Sequence, residues 1–198
     1  NAESIANPSG NTWTCAVVTT DSEAEAAVVF SLGFTDSAGN AGVAVTATTD
    51  GTSVTHDDTV PTLSNIVEAT TGTGEANDGD TVSLTITASE NIQQPTCTFS
   101  SGGDAMANSP SYSGSGTSWT SSVTVADGDT NGDVTFSCAF SDVAGNAGTP
   151  DTTPNSGDIE VENTHPTVSS FSFGDTAMKT GDTPTLTLTF SEAVVGFA

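Results

Sequence analysis

Val134-Thr135-Phe136-Ser137-Cys138-Ala139-Phe140-Ser141-Asp142-Val143-Ala144-Gly145-Asn146-Ala147-Gly148 decides the fold of this chain. Its first seven residues alternate apolar with small or polar side chains, the period-two signature of a half-buried β-strand. Asp142, Gly145 and Asn146 then break the alternation with turn chemistry. The stretch is also written twice. Phe34-Thr35-Asp36-Ser37-Ala38-Gly39-Asn40-Ala41-Gly42 precedes its counterpart at 140–148 by 106 residues. Thr12-Trp13-Thr14 precedes Ser118-Trp119-Thr120 at the same offset.

Two further blocks extend the register. Asp58-Thr59-Val60-Pro61-Thr62-Leu63-Ser64 returns as Asn163-Thr164-His165-Pro166-Thr167-Val168-Ser169. Gly79-Asp80-Thr81, with Leu84-Thr85-Ile86-Thr87-Ala88-Ser89-Glu90, returns as Gly181-Asp182-Thr183, with Leu186-Thr187-Leu188-Thr189-Phe190-Ser191-Glu192. A period of about 105 residues exceeds a solenoid unit and suits a bead that folds alone. The expected organisation is a complete unit at 59–163, the C-terminal half of a unit at 1–58 and the opening of another at 164–198. Such a chain reads as an excerpt of a longer array.

Within the complete unit, alternation predicts strands near 63–67, 82–88, 96–99, 119–125, 134–140 and 159–161, with a weak element between 105 and 112. Parity turns Val82, Leu84, Ile86, Cys97, Phe99, Trp119, Val123, Val125, Val134, Phe136, Cys138 and Phe140 inward. No stretch carries a helical period. The expected fold class is all-β, a tandem of immunoglobulin-like β-sandwiches. The run from Val134 to Gly148 resembles the ending of bacterial-type immunoglobulin-like repeats. The Thr-x-Pro-Thr linkers and the Gly-Asp-Thr…Ser-Glu openings resemble the start of the same repeats. That family builds the stalks of very large bacterial adhesins and surface fibres, so the resemblance implies an extracellular, cell-surface structural role. Its members generally lack cysteine, and this chain departs from them there.

In that fold the strands at 96–99 and 134–140 are neighbours in one sheet, and both cysteines have inward parity. A Cys97–Cys138 disulfide is expected, with two buried free thiols as the alternative. The bridge would imply an oxidising compartment. Cys15 has no partner in view, and three scattered cysteines lack zinc-site spacing.

One basic residue, Lys179, stands against 25 acids, for a formal charge of −24. Nothing here neutralises phosphates, which argues against nucleic acid and anionic membrane as partners. No apolar run is long enough for a spanning helix, so no membrane insertion is expected in this segment. Self-repulsion on this scale calls for saline screening or bound cations.

The acids concentrate at predicted junctions between units. Asp21, Glu23, Asp57, Asp58, Glu90 and Asp142 converge on one; Asp127, Asp129, Glu162 and Glu192 repeat the arrangement at the next. Oxygen ligands gathered in this way suit Ca²⁺, the one cofactor expected. The competing reading is turn capping by Asp142 and Asn146 through Asx hydrogen bonds. Asp127 to Asp133 begins like an EF-hand, but Cys138 stands where the twelfth-position Glu would be. His56 and His165 lie at linkers with no nucleophile in a recognised pattern, so no enzyme is expected.

The leading functional expectation is a stalk or spacer whose partners are neighbouring repeats of the same chain. A filament subunit contacting other copies is the alternative. Carbohydrate or protein binding on sandwich-end loops is a third reading.

Overall fold

The structure is a computed structural model that describes residues 3–20, 23–72 and 74–196. It is all-β, with twelve strands among the described residues. The hairpin of β1 (Glu3–Ser9) and β2 (Thr12–Val17) comes first. Eight strands of the central unit follow: β3 (Leu63–Thr70), β4 (Thr81–Ala88), β5 (Thr96–Ser101), β6 (Asp104–Ala105), β7 (Ser111–Ser115), β8 (Ser118–Thr124), β9 (Gly132–Ala139) and β10 (Glu160–Val161). A second hairpin, β11 (Val168–Phe173) and β12 (Leu186–Phe190), ends the series.

The central strands form two four-stranded sheets, ordered β3-β4-β8-β7 and β10-β9-β5-β6. Alternation places their inward residues as expected. Val82, Leu84, Ile86 and Val123 from one sheet share a single core with Cys97, Phe99, Val134, Phe136, Cys138 and Val161 from the other. Two sheets meeting through one core make a β-sandwich arrangement. Phe140 leaves that core for a satellite cluster with Ala88 and Ile92, while Trp119 is half-buried between the two. The weak element expected between 105 and 112 is two short strands, β6 and β7.

Gly102 and Gly103, with φ of 55° and 92°, close the two-residue β5–β6 hairpin. That turn needs positive φ at both positions, which glycine adopts without steric cost.

Cys97 and Cys138 face each other across the β5–β9 ladder and form a disulfide, with Cα atoms 4.1 Å apart. This close spacing marks a non-hydrogen-bonded pair, so the Cys97 backbone groups point away from β9. They find Tyr112 on β7, in the other sheet. Its hydroxyl accepts from Cys97 N at 2.9 Å and donates to Cys97 O at 3.1 Å.

The chain after β9 switches sheets. Asp151 bridges Cys138 on β9, then Ser156 bridges Val67 on β3 in parallel, before β10 rejoins β9. Asn155 fixes the crossing: its side chain accepts from Ile66 N at 2.6 Å and its N–H donates to Ile66 O at 2.7 Å. At this crossing Glu68 is only 5 % exposed, on the inward face of β3. Burial first, and nearby Asp158 second, raise its pKa to about 7 against the lowering hydrogen bond from Ile159 N–H.

Local details recur along the chain. The β3–β4 ladder is irregular between Leu63 and Asn65, and the β11–β12 ladder between Val168 and Ser170, at the same offset as the sequence blocks. Leu32 bridges Val45 as Cys138 bridges Asp151, and Thr35 bridges Ala41 as Ser141 bridges Ala147. A Cβ on Gly42 would run into the Phe34 ring, and one on Gly148 into the Phe140 ring. The two outer hairpins differ from the centre in exposure: Trp13 is 65 % and Phe171 59 % exposed.

Candidate metal centre

The turn after β9 is built by one carboxylate. Asp142 Oδ1 accepts from Gly145 N at 2.6 Å and Asn146 N at 2.8 Å, and its Oδ2 accepts from Asn146 Nδ2 at 2.8 Å. The turn at 36–42 uses the same device: Asp36 Oδ1 accepts from Ala38 N and Asn40 N, and its Oδ2 from Asn40 Nδ2. The Asx-capping reading therefore holds at both places. Burial pushes the Asp142 pKa up, but the Asn146 and turn hydrogen bonds outweigh it, and the net shift is downward.

Capping does not exhaust the site. Asn146 Nδ2 also donates to the backbone carbonyl of Asp57 at 2.9 Å, drawing the segment before the central unit against the turn. The loop after β4 is held from both sides. Ser89 N donates to Thr62 O, Ser89 Oγ accepts from Thr62 N, and Gln93 Nε2 donates to Asp142 O. This framing brings Glu90 beside Asp57 and Asp142, with one carboxylate oxygen of each within 4.8 Å of the others. It is the one such cluster of three among the described residues.

Packing three carboxylates this closely has an electrostatic signature. The Glu90 pKa is raised, first by desolvation, then by the charges of Asp57, Asp142 and Glu25. Each pair repels by about 1 kcal/mol even at the dielectric of water. A cation reverses that sign, and three hard oxygens, with the remaining positions taken by carbonyls or water, suit a hard divalent ion. The triad could hold a metal ion.

The other expected ligands are disposed differently. Asp21 lies outside the described residues. Glu23 is not in the cluster; its Oε2 accepts from Thr20 N at 3.3 Å. Asp58 turns to His56, with Nε2 to Oδ2 at 3.4 Å. Glu25, absent from the expected ligand set, contributes to the field on Glu90, and its Oε1 accepts from Thr59 Oγ1 at 2.5 Å. Its signal in the sequence was its place two residues after Glu23.

At the second junction no comparable triad forms among the described residues. Asp129 is buried and uses both oxygens on the backbone, Oδ1 accepting from Ala107 N and Oδ2 from Ala126 N. It caps its loop, as Asp142 caps the turn after β9. Asp127 is exposed on the same loop. Glu162 Oε1 accepts from Thr164 N and Asn131 Nδ2, each at 2.8 Å; these contacts, the Thr164 backbone first, lower its pKa. Glu192 lines a shallow depression with Glu162, Asn163 and His165. Asparagine does here what carboxylates were expected to do: Asn131 and Asn163 tie the outgoing segment to the loop before β9.

No family model matches the chain, and no curated protein matches it. Among the described residues, no helix is long and apolar enough to cross a membrane. The disulfide is the bond type of an oxidising compartment.

Proposed function

We propose that the chain is part of an extracellular stalk or spacer built from serial immunoglobulin-like units, with 59–163 as one unit. The observation that carries this reading is the twice-built turn. Asn40 donates its N and Nδ2 to the two oxygens of Asp36 as Asn146, 106 residues on, donates its N and Nδ2 to those of Asp142. The irregularity shared by the β3–β4 and β11–β12 ladders supports it. The order β3-β4-β8-β7 over β10-β9-β5-β6 fits the immunoglobulin-like class.

The work of such a chain is reach and resistance to pulling. A disulfide across β5 and β9 suits that task, as does a surface of net charge −24 that keeps neighbouring stalks apart. At the entrance to the central unit, the Asp57, Glu90 and Asp142 carboxylates would take up Ca²⁺ and stiffen the joint between successive units.

Small-angle scattering of the whole chain in saline buffer tests the reading. A compact chain of 198 residues would have a radius of gyration of about 16 Å. Serial units give a clearly larger value and an elongated distance distribution. A value near the compact figure would overturn the spacer.

A further inference from the structure

The central sandwich closes three of its sheet edges and leaves one open. β3 is covered where Asn155 bonds both backbone groups of Ile66 and Ser156 bridges Val67. β10 is covered by Ala76, which bridges Val161, donates to Glu160 O and accepts from Glu162 N. β6 is only two residues long, and one of them is Asp104. β7 ends the order β3-β4-β8-β7, and no described residue bridges its outer side. This edge lies well inside the complete unit.

The hydrogen bonds of the neighbouring strand show which groups β7 leaves free. At the two ends of β8, Thr117 O accepts from Ala88 N and Val125 N donates to Asp80 O, so its odd-numbered residues bond toward β4. Ser118, Thr120 and Ser122 therefore bond toward β7, to Ser115, Ser113 and Ser111. The N–H and C=O of Tyr112 and Gly114 are left on the open side. The β7–β8 ladder runs without a register shift, so no bulge twists the edge away.

This edge also lacks charge, the ordinary protection of an exposed strand. The chain carries 25 acids in 198 residues, yet residues 105–126 hold no Asp, Glu, Lys, Arg or His, the longest such run in the sequence. In a molecule of net charge −24, a stretch without acids is where a second, equally acidic copy can approach. The strand is also complementary to itself. Ser111-Tyr112-Ser113-Gly114-Ser115 has serine at the same places read from either end, and a half-turn about Ser113 sets Tyr112 opposite a residue with no side chain.

We propose that two copies of this chain pair through β7, antiparallel about a two-fold axis at Ser113, joining their sheets edge to edge. Tyr112 of each copy exchanges main-chain bonds with Gly114 of the other, and Ser111 stands opposite Ser115. The contact is isologous, the same edge on both copies, so it closes as a pair. It is a small contact of the transient class, strengthened by salt that screens the acidic surfaces. In the proposed stalk it would set two chains side by side and antiparallel. The pairing needs the central unit alone and stands apart from the spacer reading.

A cysteine on the axis tests the pairing. The full chain carrying C15S/S113C is oxidised mildly in 1 M salt, where the screening length falls to about 3 Å. The expected product is a dimer linked from position 113 to position 113, identified by mass spectrometry of the joined peptides. Directly opposed, non-hydrogen-bonded positions bring their Cβ atoms within disulfide reach. Thr120 is the neighbour of Ser113 on β8 and shares its face. The pairing leaves the two copies' positions 120 three strand spacings apart, roughly 14 Å. The C15S/S113C dimer should therefore exceed the C15S/T120C dimer by at least about tenfold.

Sedimentation gives a second readout. The mass of the otherwise unaltered chain should rise with concentration. S113E sets like charges face to face and should raise the dissociation constant by about fivefold, whereas T120E should leave it within about twofold. Equal dimer yields from the two cysteine positions would overturn the pairing. So would a chain that is monomeric at every concentration, or an association that S113E leaves intact. An elongated scattering profile with no dimer linked at position 113 would leave the spacer standing and remove the pairing.

Discussion

The Tyr112 hydroxyl bonds both backbone groups of Cys97, across the gap between the two sheets of the central unit. It thereby satisfies the two polar groups that the non-hydrogen-bonded Cys97–Cys138 pair leaves facing outward. Y112F keeps the ring and orphans both groups. An unsatisfied buried group costs about 1–3 kcal/mol. Urea unfolding of Y112F should show a lower midpoint at unchanged slope; an unaltered midpoint would show that the hydroxyl contributes nothing.

The disulfide closes a loop of sequence separation 41. Chain entropy gives it on the order of 4 kcal/mol. A C97A/C138A chain should therefore unfold at markedly lower denaturant. Thiol labelling of the native chain should modify Cys15 alone, with all three cysteines reacting after reduction. Labelling at Cys97 without reductant would contradict the bridge.

Glu68 makes the central unit sensitive to pH. Its folded pKa, about 7, lies above the ordinary 4.5, so folding favours its protonated form. The associated stability is fully present below about pH 4.5 and is lost as pH rises to about 7. Replacing Glu68 by Gln should leave the chain little changed at pH 4.5 and stabilise it at pH 8, by on the order of 2–3 kcal/mol. Paired melts at the two pH values measure this. Equal effects at both would refute the buried-acid account. The corresponding residue of the β11–β12 hairpin is Phe173, opposite Leu186 as Glu68 is opposite Leu84.

Metal binding at the triad predicts a crossover. Ca²⁺ at a hundred times its dissociation constant adds about 2.7 kcal/mol to the native chain. EDTA should remove that increment. The Glu90 pKa is raised by burial and by its acidic neighbours, so its ionised form costs stability as pH rises through the folded pKa. E90Q should therefore match or exceed the parent chain in EDTA at pH 7 and fall below it in Ca²⁺. If the parent melt is indifferent to EDTA, the calcium proposal is lost.

The core was legible because strand parity needs only local alternation: Val82, Leu84, Ile86, Val134 and Phe136 are all buried as the pattern required. The cysteine pair was legible for the same reason, once the two strands were taken as neighbours. The triad was half legible. Its acids could be placed at one end of the unit, but Asn146, which draws Asp57 inward, read only as a turn residue. At the second junction the sequence showed Asp129 only as an acid in a turn, because the contacts of its two oxygens with Ala107 and Ala126 depend on tertiary closure. Glu68 was invisible to charge counting. Its sequence signal was an acid two residues beyond Ile66, on the buried parity of β3.

Asn146 and Asn131 stand at opposite ends of the central unit, and each fastens a segment of chain that arrives or departs. Asn146 holds the Asp57 carbonyl, while Asn131 holds Glu162 and Thr164 and accepts from Asn163 N. In the proposed stalk, tension along the backbone would reach these side-chain amides before the ladders of β3 or β9. A few short hydrogen bonds can open and close again at modest load, letting the joint lengthen while the disulfide-bearing core stays intact. The extensibility of such a chain would reside in its asparagines, and its ultimate strength in its sheets.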